Sequence, residues 1–156
     1  MASLGRVLRP TLLATLAAFV VLAAGAGAET LGCSPYAIGT TTIRGTTDDD
    51  DITGCAGADR IDGRAGNDTI EGLLGDDRLV GGSGNDVLVG GPGKDSLSGG
   101  TGADLVSGGA GFDVVDVRDK SIDTVRCGAG KDMVRADRHD NVARDCERVL
   151  RTGGAP

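Results

Sequence analysis

An aspartate occupies positions 50, 59, 68, 77, 86, 95, 104 and 113, nine residues apart without a slip. Two residues after each stands an aliphatic side chain: Ile52, Ile61, Ile70, Leu79, Leu88, Leu97, Val106 and Val115. Carboxylates move protons or hold cations. Proton chemistry at a glycosidic bond needs one pair of carboxylates at a set separation. Here they recur in every unit and no pair stands out, which points to cations.

Glycine is the second part of the pattern. It opens each unit at 45, 54, 63, 72, 81, 90, 99 and 108. It returns fourth as Gly57, Gly66, Gly75, Gly84, Gly93, Gly102 and Gly111, with Asp48 in its place in the first unit. The second position is mixed: Thr46, Cys55, Arg64 and Leu73, then Gly82, Gly91, Gly100 and Gly109. Glycine at positions one and four is expected to supply backbone angles that other residues avoid. Six residues then form a tight turn with carbonyls facing inward. The other three, such as Thr69-Ile70-Glu71, form a short strand with its middle side chain buried. Two units make one rung of a flattened coil. Rungs stacked at about 4.8 Å place the loops in two columns. One carries Asp50, Asp68, Asp86 and Asp104, the other Asp59, Asp77, Asp95 and Asp113.

Carboxylates stacked this closely repel. The chain's 16 Lys and Arg residues are too few and too irregularly spaced to neutralise them. A hard divalent cation suits the site. Calcium accepts about 6–8 oxygens with loose geometry, whereas magnesium demands a tight octahedron and keeps its waters. Copper, zinc and iron prefer His or Cys, which the loops lack. One buried aliphatic per nine residues is also a thin core against the entropy of ordering the backbone. The metal-free chain is therefore expected to be largely disordered, with calcium binding and folding as one event.

The repeat resembles the nonapeptide GGxGxDxUx of RTX, or haemolysin-type, calcium-binding proteins, a pattern known for binding calcium in a parallel β-solenoid. Residues 81–89, GGSGNDVLV, and 90–98, GGPGKDSLS, match every specified position. The resemblance covers 45–116 well and 117–135 in part. It implies an all-β chain: a right-handed parallel β-roll, a calcium-bound β-solenoid, to which the cysteines, read separately, add the expectation of disulfide-linked end caps. It implies calcium between adjacent rungs, held by loop carbonyls and by Asp59, Asp68, Asp77, Asp86, Asp95, Asp104 and Asp113, with Asp50 and Asp132 as end positions. Departures are Asp48, expected to distort the first turn, and Arg64 and Leu73, expected to weaken carbonyl geometry in their loops.

The flanks read differently. Arg6 and Arg9 precede an apolar run from Thr11 to Ala24, and Ala26-Gly27-Ala28 offers small residues for cleavage. Residues 1–28 are expected to be a secretory signal peptide; the run is shorter than the ~20 residues that span a bilayer. No later segment is apolar enough to span. Without residues 1–28 the chain holds 14 basic and 23 acidic residues, so nucleic acid is not an expected partner. Residues 29–44 are assigned to an N-terminal cap, 45–135 to the roll, 136–150 to a C-terminal cap and 151–156 to a loose tail. After Val115 the aspartates continue as Asp123, Asp132 and Asp140, at steps of ten, nine and eight. Val142, Cys146, Val149 and Leu150 fit either a helical face or further short strands.

Four cysteines in an exported chain read as disulfides. Three pairings are possible, and the local ones, Cys33–Cys55 and Cys127–Cys146, are favoured. A zinc site would need a CxxC pair or more than one histidine; the only histidine, His139, sits in a charged stretch and reads as solvated. No catalytic constellation is found, so the chain is not expected to be an enzyme. The expected function is a secreted, extracellular calcium-dependent structural or interaction module, its protein or polysaccharide partner unnamed. The alternative is an accessory carbohydrate-binding or enzyme-associated module at the cell surface. The low aromatic content, with no Trp, one Tyr and two Phe, argues against a sugar-stacking face.

Overall fold

The computed structural model describes residues 30–32 and 39–152. The expected signal peptide, Cys33 and the end of the expected tail lie outside these residues. Fourteen strands alternate between two seven-stranded sheets, and no helix occurs among the described residues. One sheet holds β1 (Thr30–Gly32), β3 (Asp51–Thr53), β5 (Thr69–Glu71), β7 (Val87–Gly93), β9 (Leu105–Gly111), β11 (Thr124–Gly130) and β13 (Asn141–Val142). The other holds β2 (Thr42–Arg44), β4 (Arg60–Ala65), β6 (Arg78–Ser83), β8 (Ser96–Thr101), β10 (Val114–Asp116), β12 (Met133–Asp137) and β14 (Arg148–Thr152). Each strand pairs in parallel with the strand two before it and two after it, which makes a parallel β-roll.

The register is the repeat doubled. Ile52 pairs with Ile70, and Ile70 with Leu88; Ile61 pairs with Leu79, and Leu79 with Leu97. These eighth-position residues point between the sheets and are at most 1 % exposed. Ile43, Val125 and Val134 extend the same core at either end. The side chains on each side of them face outward, as the period of two requires.

The stack extends into both ends of the chain, and of the two alternatives open at the C-terminal end the strands are present. Residues 29–44 were assigned to a cap, yet β1 and β2 already pair with β3 and β4. Gly39, with φ of +128°, Thr41 and Ile43 stand at positions four, six and eight of one more unit, with threonine in place of aspartate. At the other end, strands continue the stack instead of a helix. Arg151 and Thr152, expected in the tail, close β14 and pair with Ala136 and Asp137 of β12.

The residue inserted after Val115 shifts the register from 18 to 19: Leu105 pairs with Thr124 and Val114 with Met133. The surplus is taken up before β11, where the Asp119 carboxylate accepts the N–H and hydroxyl of Ser121 and Lys120 turns to φ +100°. Cys127 of β11 is bonded to Cys146, with Cα atoms 5.1 Å apart. That bridge fixes the least regular end of the roll. The pairing of Cys55 with Cys33 stays an expectation, because Cys33 is outside the described residues.

Candidate metal centre

The loops carry the sixth-position aspartates into two columns, as the period requires. Each inner aspartate is almost wholly buried, from Asp59 at 3 % exposed to Asp68 at 1 %. The stack is not carboxylate against bare carboxylate. The Asp50 N–H donates to Asp68 Oδ1 at 2.9 Å, Asp68 N–H to Asp86 Oδ1 at 2.8 Å, and Asp86 N–H to Asp104 Oδ1 at 2.9 Å. The second column repeats this through Asp59, Asp77, Asp95 and Asp113 at 2.7–2.9 Å. One oxygen of each carboxylate is thus tied to the backbone of the neighbouring rung.

The other oxygen has no partner. Oδ2 of Asp68, Asp77, Asp86, Asp95, Asp104, Asp113, Asp123 and Asp132 is buried and accepts no hydrogen bond. A buried, unpaired carboxylate oxygen is costly. Burial raises the Asp104 carboxyl to about 7 and those of Asp68, Asp95 and Asp123 to about 6, against the pull of the donated backbone N–H and with help from neighbouring carboxylates. Asp77, Asp86 and Asp113 are raised for the same leading reason.

The ends of the columns are closed. Asp50 Oδ2 accepts the N–H of Thr46 at 2.6 Å, and Asp59 Oδ2 that of Cys55 at 2.5 Å. Asp140 Oδ2 accepts the N–H of Asp137 at 2.6 Å. Thr46 and Cys55 are second-position residues. From the next unit on, the second residue is left-handed: Arg64 at φ +80°, Leu73 at +76°, then Gly82, Gly91, Gly100 and Gly109 between +107° and +118°. Where that residue lies in a strand its backbone joins the parallel ladder instead, as in Arg64 with Gly82 and Gly91 with Gly109; Leu73 lies between strands.

This corrects the expected role of the glycines. Positions two and four take the left-handed backbone; Gly57, Gly66, Gly75, Gly84, Gly93, Gly102 and Gly111 all have φ between +116° and +153°. Position one is glycine for lack of space. A Cβ on Gly108 would lie 2.6 Å from Asp113 Oδ2 and 2.7 Å from the Cys127 carbonyl oxygen. Arg64 and Leu73, expected to perturb their loops, adopt the glycine conformation at a cost of about 1–2 kcal/mol each. Asp48 does change its turn: its N–H is taken by the Thr46 hydroxyl at 3.1 Å.

Three members of the columns were not assigned from sequence. Asp123 accepts the Asp104 N–H at 2.8 Å, and Asp140 accepts that of Asp123 at 3.2 Å. Glu147 ends the second column by accepting the Asp132 N–H at 2.8 Å. The aspartates could have been found by allowing one insertion and one deletion, but Glu147 stands fifteen residues from its partner and carries no signal. Asn67 also gains a role in a short outer ladder: its N–H donates to Asp49 Oδ1 at 2.6 Å, its Oδ1 accepts the Asn85 N–H at 2.8 Å, and Asn85 Oδ1 accepts that of Ala103.

The donor set fits a hard cation. Among the described residues no three His, Cys, Asp or Glu side chains gather to hold a metal. An ion between rungs would therefore draw on the unpaired Oδ2 atoms and complete its shell from backbone oxygens, a demand calcium tolerates and zinc does not.

A family model described as the RTX calcium-binding nonapeptide repeat, in four copies, matches residues 44–79, 56–88 and 80–115. No curated protein and no solved structure gives a match. No helix among the described residues is long and apolar enough to cross a membrane. With the repeat, the parallel roll and the carboxylate columns agreeing, residues 44–115 are RTX calcium-binding nonapeptide repeats.

Proposed function

We propose that this protein is an exported module whose roll forms when calcium enters the two loop columns, giving a rigid structural or interaction surface outside the cell. The observation that carries the reading is the set of eight buried Oδ2 atoms without a partner. Asp68, Asp77, Asp86, Asp95, Asp104, Asp113, Asp123 and Asp132 would hold the ions, with carbonyls of the glycine loops. Asp50 and Asp59 are left out of this set because their second oxygens already accept N–H groups. Bound calcium supplies positive charge that offsets burial and repulsion of the carboxylates and links one rung to the next. The chain's part is to tie each Oδ1 to the neighbouring backbone, so that Oδ2 is held facing the loop interior.

Far-UV circular dichroism of the chain with its disulfides intact tests this, titrating calcium from a chelated start with magnesium as control. A cooperative coil-to-β transition with calcium alone is expected. Full β structure in chelator, unchanged by calcium, would remove the proposed coupling.

A further inference from the structure

The outer face of the second sheet carries charge of the opposite sign to the loops. Parallel pairing sets Arg60 of β4 directly beside Arg78 of β6, about 4.8 Å apart along the sheet. Arg44 of β2 lies two residues along from Thr42, the partner of Arg60, on the same face. Together with Asp62 and Val80 these residues line a cleft of ≈ 180 Å³. Like charges in register destabilise a sheet, and among the described residues none of the three guanidiniums makes a hydrogen bond or ion pair. Elsewhere on the sheet an acid is in place, with Asp116 lying 2.6 Å from Arg118 and 3.9 Å from Arg135. Asp62, the register partner of Arg44, comes within ion-pair distance of neither Arg44 nor Arg60.

We propose that this cleft binds a doubly charged tetrahedral oxyanion, a phosphate or sulfate group. Three guanidinium forks against one carboxylate leave two positive charges, matching a dianion, and each fork can grip two oxygens. A single carboxylate ligand would leave one cation unmatched. A long nucleic acid is disfavoured because acidic loop columns border the sheet on both sides. The site uses the strand face and goes beyond the calcium reading.

The test is isothermal titration calorimetry of the calcium-loaded full chain with sodium sulfate, and separately with a sulfated dextran oligosaccharide. Sulfate stands in for phosphate, which precipitates calcium. One sulfate per chain is expected. R60Q/R78Q should weaken it at least about tenfold through lost charge-assisted hydrogen bonds, and D62N should tighten it about threefold by removing a like charge. R44Q, on the edge strand, is the second variant should the double one fold poorly, with circular dichroism as the check. Tighter binding of the oligosaccharide would identify a group carried on a polymer, and equal affinity a free ion. Equal sulfate binding by wild type and a folded R60Q/R78Q, or no binding of either ligand by wild type, would overturn the proposal. Because dichroism reports calcium-dependent folding independently, failure here is distinguishable from failure of the calcium reading.

Discussion

The loops of residues 45–62 and those of residues 63–116 carry the same aspartate at the same position, yet only the second group has carboxylate oxygens to offer. In the first two loops the second residue, Thr46 or Cys55, keeps an ordinary backbone and donates its N–H to its own aspartate. In the later loops the second residue is left-handed and does not donate to its own aspartate, so Oδ2 is left bare. The difference teaches that the aspartate alone does not make the site. Within residues 45–116, the aspartates left open to a ligand are those preceded four residues earlier by a left-handed residue.

The largest expected effect comes from cutting the two kinds of loop in the same column. Asp104→Asn should raise the calcium concentration for half-folding by more than about tenfold, since loss of even an outer partner of a metal ligand costs ~10–100-fold. Asp50→Asn should leave that concentration nearly unchanged. Equal shifts in the two calcium titrations by dichroism would erase the distinction between closed and open loops.

A pH series sharpens it next. Aspartates in an unfolded chain titrate near ~3.9, whereas burial holds Asp104 at about 7 and Asp68, Asp95 and Asp123 at about 6 in the metal-free roll. Between those limits the folded state binds more protons than the unfolded one, so its stability falls as pH rises. The contribution is fully present near pH ~4 and lost as pH climbs through about 6 to 7. In calcium-free buffer the β signal should therefore grow on acidification from pH ~7 to ~4, and calcium binding near pH ~6 should release protons. A metal-free chain whose dichroism ignores pH over this range would show that open carboxylates are not what opposes folding.

The smallest effect is the conversion of one loop into the other kind. Thr46→Gly with Asp48→Gly restores glycine at positions two and four of the first unit. Its second residue can then turn left-handed and free Asp50 Oδ2 from the Thr46 N–H. Calcium stoichiometry by calorimetry should rise by one ion. An unchanged count would mean that end position, not loop conformation, keeps Asp50 closed.

The sequence by itself determined the strand period, the buried column from Ile52 to Val115, the two aspartate columns and the family, because all of these repeat every nine residues and need only local chain geometry. It also held the earlier rung, in Gly39, Thr41 and Ile43, though threonine in place of aspartate hid it. Tertiary structure alone decided the rest. Whether the second-position residue turns left-handed goes with whether its N–H meets its own carboxylate, as at Thr46 and Cys55. Glu147 joins a column only because β12 and β14 pair fifteen residues apart. Arg60 and Arg78, eighteen apart in sequence, become neighbours only when the coil completes a turn. Contacts between rungs are set by stacking, and stacking is a property of the folded coil that no single nonapeptide contains.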